Sequence, residues 1–204
     1  MGIDPVNPPA EAMAAVHRAL SGLAARSAFF SATLRDIDTE DFSISTPHCI
    51  AYLHLRDIHA GVSLRKAVEV GRWRFLVHKK QRSGGAGRKG KEEHVPVAAA
   101  TVDGDVVKGY ELTELNEGPF VEGTENAIHL AEEMDEVRAG RFEPVLLVVP
   151  ALYVAALWLL NRNGDENTDI LLIIPPSNPA LVAHKPTRPN QFIDILHRLA
   201  LKMP

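Results

Sequence analysis

Three histidines, a cysteine and an aspartate crowd the segment PHCIAYLHLRDIHAG: His48, Cys49, His54, Asp57 and His59. Imidazole, thiolate and carboxylate are the donor set of zinc, and a bound zinc would activate water for hydrolysis. On a strand, residues six apart share a face, so His48 and His54 point one way and Cys49 the other. His48 and Cys49 therefore cannot ligate one ion without a bulge, and the spacing follows no established zinc motif. Strand histidines are more commonly held by backbone or carboxylate partners. His54, Asp57 and His59 stay as candidates for strand-end acid–base or metal chemistry, with no metal and no cofactor assigned. Cys49 is the only cysteine. Next to Ile50 and Tyr52 it reads as a buried strand position, which makes a poor nucleophile.

A second constellation is basic. Gly85-Ala86-Gly87-Arg88-Lys89-Gly90 matches the dinucleotide glycine pattern, and Gly85 to Gly90-Lys91 matches most of a phosphate loop. Phosphate binding requires a helix N-terminus directly afterwards. Here Glu92-Glu93-His94-Val95-Pro96 follows, so acids and a strand stand where the helix should begin. What remains is a flexible polar loop over 79–94. In it Lys79, Lys80, Arg82, Arg88, Lys89 and Lys91 form a patch for an anionic partner. No aromatic residue interleaves them for base stacking. The third candidate is the loop Asn116-Glu117-Gly118-Pro119-Phe120, where Asn116, Glu117 and Glu122 offer amide and carboxylate groups. Its plainer reading is that Gly118-Pro119 redirects the chain. There is no Gly-x-Ser-x-Gly elbow and no His-Glu-x-x-His.

The elements that must position these residues belong to a chain of 204 residues, 46% hydrophobic and 24% charged, with net charge −4. That is globular composition, enough for one α+β domain over 1–204. A mild negative charge argues against a general nucleic-acid binder. One cysteine allows no intrachain disulfide and fits a reducing cytoplasm. The opening MGIDPVNPPAEAM lacks the positive start and apolar core of a signal peptide. The apolar run Val145–Leu160 is shorter than the roughly 18 to 20 residues of a membrane span and is interrupted by Pro150.

Asn7 before Pro8 and Pro9 predicts a helix start, with Met13, Val16, Leu20 and Leu23 facing inward. Asp36–Asp41 reads as an acidic turn that closes the N-terminal part, 1–45. Strands are expected over Cys49–Leu55, Arg72–His78, Val95–Val102 and Asp105–Leu115, with Asp103-Gly104 as the turn between the last two. A short helix is expected from Val62 to Gly71. Thr124 is read as the cap of a helix ending at Gly140. In Val145–Pro176, helix and strand compete over 152–160. Asn163-Gly164 between two apolar runs favours a central hairpin, covered on both faces. Prolines 175, 176, 179, 186 and 189 mark an extended segment, and Asn190 caps a last helix facing inward through Phe192, Ile195, Leu196 and Leu199. The sum is a mostly antiparallel sheet of five or six strands with three or four helices.

RWRFLV, VAAATV, LNEGPFVEGT and PALYVAALWL, taken together from about Arg72 to the C-terminus, resemble bacterial proteins without assigned activity. Asn-Glu-Gly-Pro-Phe and Ala-Leu-Trp-Leu are the most specific pieces. The resemblance implies no activity, cofactor or catalytic residue. With no intact catalytic motif beside so much apolar sequence, the leading expectation is a cytoplasmic, non-enzymatic binding or interaction module, with self-association open to it. The alternatives are a small-molecule enzyme, hydrolytic and metal-dependent in one form, using strand-end His54, His59 or Glu117, and phosphate or nucleic-acid binding through 79–91.

Overall fold

The computed structural model describes residues 2–29, 32–35, 42–67, 69–83 and 91–203. In chain order they form β1 (Gly2–Ile3), α1 (Ala10–Ala25), α2 (Ala32–Arg35), β2 (Phe42–Tyr52), α3 (Leu55–His59) and α4 (Leu64–Ala67). There follow β3 (Glu69–Ser83), β4 (Lys91–Asp105), β5 (Gly109–Asn116), α5 (Pro119–Glu133) and α6 (Asp135–Ala139). The chain closes with β6 (Arg141–Val149), β7 (Val154–Asn161), β8 (Ile170–Ile173), β9 (Pro186–Thr187) and α7 (Pro189–Ala200).

The strands make one nine-stranded mixed sheet in the order β5-β4-β3-β2-β6-β7-β8-β9, with β1 on β6. β1 and β2 run parallel to β6, while β3–β4, β4–β5, β6–β7, β7–β8 and β8–β9 are antiparallel. This overturns the expected five or six mostly antiparallel strands with three or four helices. The parallel β2–β6 pair joins Cys49 to Val145 and Tyr52 to Val148. Parallel partners meet through long crossovers, so no local turn announces them. None of the described helices is long and apolar enough to cross a membrane.

The chain divides into two compact units, Met1–Val6, His48–Arg72 and Gly123–Pro204 in the first, Asn7–Pro47 and Trp73–Glu122 in the second. In the first, the hairpin over Asn163-Gly164 forms as β7–β8. One face of β6, β7 and β8 carries Val145, Leu147, Val154, Ala156, Trp158, Leu171 and Ile173, packed with Ile58, Leu64, Phe192 and Leu196. The opposite-facing Leu146, Leu157, Leu159 and Leu172 are buried too. Such two-sided burial explains the continuous apolar runs. α5 approaches this core so closely that a Cβ on Gly123 would stand 2.8 Å from Ile174 Cγ2.

Helix ends depart from the sequence reading. α5 begins at Pro119, and Thr124 is buried within it rather than capping it. Gly140 follows α6 with an extended backbone at φ −98°, and Arg188, not Asn190, occupies the cap position of α7. In both α5 and α7 a proline already sits at the first helical residue, which its fixed φ favours. α1 likewise starts at Ala10, with Pro9 rather than Asn7 at its cap.

In the second unit α1 packs through Ala12, Ala15, Val16 and Leu20 against Phe75, Val77, Ala98, Ala100 and Val102. Met13 is left 39% exposed. The small alanines on both sides set the face one residue away from the stripe of larger side chains. The β4–β5 turn is not at Asp103-Gly104: Gly104 pairs with Tyr110 and Asp105 with Gly109. Asp105 Oδ1 accepts the N–H groups of Val107 at 2.8 Å and Lys108 at 2.7 Å, which moves the turn on to 106–108. Gly104, at φ +137°, is needed for close approach, since a Cβ there would meet the Gly109 carbonyl oxygen.

Candidate functional site

His54 does not lie on a strand with His48. β2 ends at Tyr52, and His54 is the exposed residue before α3. Asp57 in the first turn of α3 pairs with Arg56 at 3.6 Å. His59, in the last turn, is exposed. Among the described residues, no three histidine, cysteine, aspartate or glutamate groups stand together so as to hold a metal. The structure instead brings His59 to His197 of α7, with ring centroids 6.3 Å apart and planes at 73°. His197 is 138 positions away in sequence, so spacing could not have suggested the pair. Burial pushes the Cys49 thiol up to about 11, against an opposing effect of Arg162. At neutral pH it is a protonated thiol and a weak nucleophile.

Asn116 ends β5, and its Nδ2 donates to Glu114 Oε2 at 3.1 Å. Glu117 is exposed, as is Glu122 in the first turn of α5, where a carboxylate suits the positive helix end. Gly118 has φ +99° with open space around it, so the loop needs glycine for its backbone. The polar loop expected over 79–94 is paired strand up to Ser83 and again from Lys91, joined as Arg82↔Glu92 and Ser83↔Lys91. Lys79 and Lys80 thus stand on β3, while Arg88 and Lys89 lie outside the described residues.

The densest polar constellation was not singled out from sequence. Asp169, fully buried, accepts from Arg65 Nε at 2.9 Å, Arg65 Nη2 at 2.5 Å, Trp158 Nε1 at 3.1 Å and the Asn161 N–H at 2.8 Å. Arg65 also donates to the carbonyls of Asn161, Gly164 and Asp165. Glu166 accepts the N–H groups of Leu64 at 2.8 Å and Arg65 at 3.2 Å, at the start of α4. Arg188 donates to the carbonyls of Thr168 and Asp169 and to both Glu136 oxygens. Four donors saturate the Asp169 carboxylate, leaving it no lone pair for a substrate. It latches the β7–β8 loop.

Beside a hollow of about 390 Å³ lined by Gly2, Ile3, Asp4 and Arg141, two further concavities occur among the described residues. One, of about 350 Å³, is lined by Asn126, His129, Leu130 and Glu133 of α5 and by His184. There His129 stands 3.4 Å from Glu125 and 3.5 Å from Glu132. The other, of about 370 Å³, is lined by Leu152, Tyr153, Asn178, Leu199, Lys202 and Met203 among others. It is built on the β6–β7 connection. A single 3-10 turn over Pro150–Leu152 delivers Tyr153 in the left-handed region, φ 54° and ψ 52°. The Asn178 N–H donates to the Tyr153 carbonyl at 2.9 Å, and Asn178 Nδ2 donates to the Leu152 carbonyl at 3.2 Å. These bonds fix the turn while the tyrosine side of it stays 59% exposed. Met203 and Leu201 nearby in sequence are 45% and 65% exposed. The hollow thus sets an exposed tyrosine on a hydrogen-bonded turn beside Leu152, Leu199, Met203 and one lysine. Comparison of the chain with protein-family models, with curated proteins and with solved structures finds no match.

Proposed function

We propose that the chain is a binding module whose recognition surface is the Tyr153 turn. The partner is an apolar peptide segment carrying an acidic residue. The observation that carries this is the left-handed backbone of an exposed tyrosine. A non-glycine residue in that region costs about 1 to 2 kcal/mol, and such strain persists where the surroundings over-determine it and clusters at functional sites. Exposed aromatics on a fixed backbone are also the residue type that dominates interface energetics. Lys202 at the rim supplies the charge that would select an acid. The raised thiol of Cys49 supports binding over nucleophilic turnover. A single free cysteine supports a reducing cytoplasm as the compartment.

The test is selection of a displayed random peptide library on immobilised protein, with the selected peptides titrated into isotope-labelled protein by NMR. Acidic-apolar peptides that perturb Tyr153, Asn178 and Lys202, and that bind Tyr153→Ala at least tenfold more weakly, would support the reading. Peptides that bind Tyr153→Ala as well as the parent would refute it, and so would a selection that returns none.

A further inference from the structure

We infer that His59 and His197 form a chelating site for a divalent transition metal of the zinc class. The two histidines extend from residues locked in one core: Ile58 and Leu196, each adjacent to its histidine, are buried in the same apolar cluster. The backbones of α3 and α7 are therefore fixed, and the imidazoles meet edge-on with centroids 6.3 Å apart. Both side chains are solvent-accessible. The other paired histidines are engaged differently: His78 with Ser45 at 3.1 Å, His94 with Ser43 at 2.9 Å and His129 with two glutamates. Among the described residues, no hydrogen bond or ion pair engages the rings of His59 and His197, so their ligating nitrogens are open.

Zinc–imidazole bonds of about 2.1 Å at a tetrahedral angle place two ring centroids about 5 Å apart. Closing the observed gap takes about 1 Å, which side-chain rotation of two exposed histidines supplies. Both histidines lie in the last turn of their helices. Helix C-termini carry partial negative charge and favour a cation there. Imidazole selects zinc, nickel or copper over magnesium or calcium, which require oxygen donors. Two protein ligands leave two positions to water or to a donor from another molecule. Bound metal would tie α3 to α7.

The probe is zinc chloride titrated calorimetrically into untagged full-length protein, with histidine ring resonances followed by NMR. The expected result is one equivalent bound, shifts in the rings of His59 and His197, and reversal by a chelator. His59→Gln and His197→Gln should each weaken binding at least tenfold, with the double variant no worse than either. His129→Gln should leave it unchanged. Unchanged zinc affinity in both single variants, loss on His129→Gln instead, or no binding by the parent protein would overturn the site. Because the changed residues are exposed, thermal unfolding without metal should match the parent and separates loss of the site from loss of fold.

Discussion

Replacing Asp169 by alanine should destabilise the first unit by about 3 to 5 kcal/mol, the range for removing one partner of a buried pair. The structure shows where that comes from. Trp158 Nε1 loses its acceptor inside a core where Trp158 is 2% exposed, and the half-buried Asn161 N–H loses the same carboxylate. Each unsatisfied buried donor costs about 1 to 3 kcal/mol. The Arg65 side chain, 31% exposed, keeps three carbonyl acceptors and partial access to water, so its share is small. Asp169→Asn keeps the shape but turns an amide N–H₂ toward donors, and should cost about 2 to 3 kcal/mol by the same reasoning. Arg65→Met should cost less than Asp169→Ala, because the carboxylate retains its two other donors. Their coupling in a double-mutant cycle should fall at about 1 to 3 kcal/mol.

The assay follows from the same residues. The chain has two tryptophans, and Trp158 reports on the first unit once Trp73 is changed to phenylalanine. Urea unfolding followed by Trp158 emission gives the free energy of that unit, with m as a check that the unfolded state is unchanged. A loss under about 1 kcal/mol for Asp169→Ala would refute the reasoning, because it falls below the cost of even one abandoned donor. It would mean that water reaches the site or that the loop rearranges freely.

Three further outcomes are expected. With its thiol raised from 9.0 to about 11, Cys49 should alkylate with iodoacetamide about one hundredfold more slowly below pH 9 than the unfolded chain does. The folded state holds a proton that the unfolded state releases between those values. Stability should therefore fall as pH rises from about 9 to about 11, a component that Cys49→Ser removes and that a flat difference between the two proteins would contradict. Tyr153→Asn should raise the thermal midpoint while abolishing peptide binding, since asparagine tolerates the left-handed region and recovers about 1 kcal/mol of strain. A lowered midpoint would show that the tyrosine is there for packing.

How far the sequence could be read depends on the range of each interaction. Asn163-Gly164 between apolar runs named its hairpin because both strands and the turn are local. Asp103-Gly104 carries the same kind of signal and misled, because Asp105 caps the Val107 and Lys108 amides and outcompetes the earlier turn. The apolar density of β6 and β7 marked the core, but not that β2 lies parallel beside β6, about 95 residues upstream. Asp169 gave no signal because its main partner, Arg65, is 104 residues away, and His59 lacked meaning until the fold supplied His197. The basic run was visible as charge. That its flanks pair as strands was not, since glycine and lysine there carry little strand propensity.

The most apolar stretch of the chain, Val145–Pro176, reads from sequence as a central hairpin covered on both faces, and the candidate turn at Tyr153 lies within it. β6 and β7 are buried on both faces over most of their length. Their connection is different. β2 and β6 are parallel, and Tyr52 pairs with Val148, so the Pro150–Tyr153 turn follows directly on the carboxyl ends of that pair. In open sheets, ligands gather beyond the carboxyl ends of parallel strands, where chains diverge and leave a crevice. A tight connection there could be closed by glycine or asparagine without strain. The chain places a tyrosine in that position and leaves it 59% exposed, so packing recovers little of the backbone cost. That residue at that backbone angle is what motivates the proposed peptide contact, and Tyr153→Asn separates strain kept for binding from strain kept for packing.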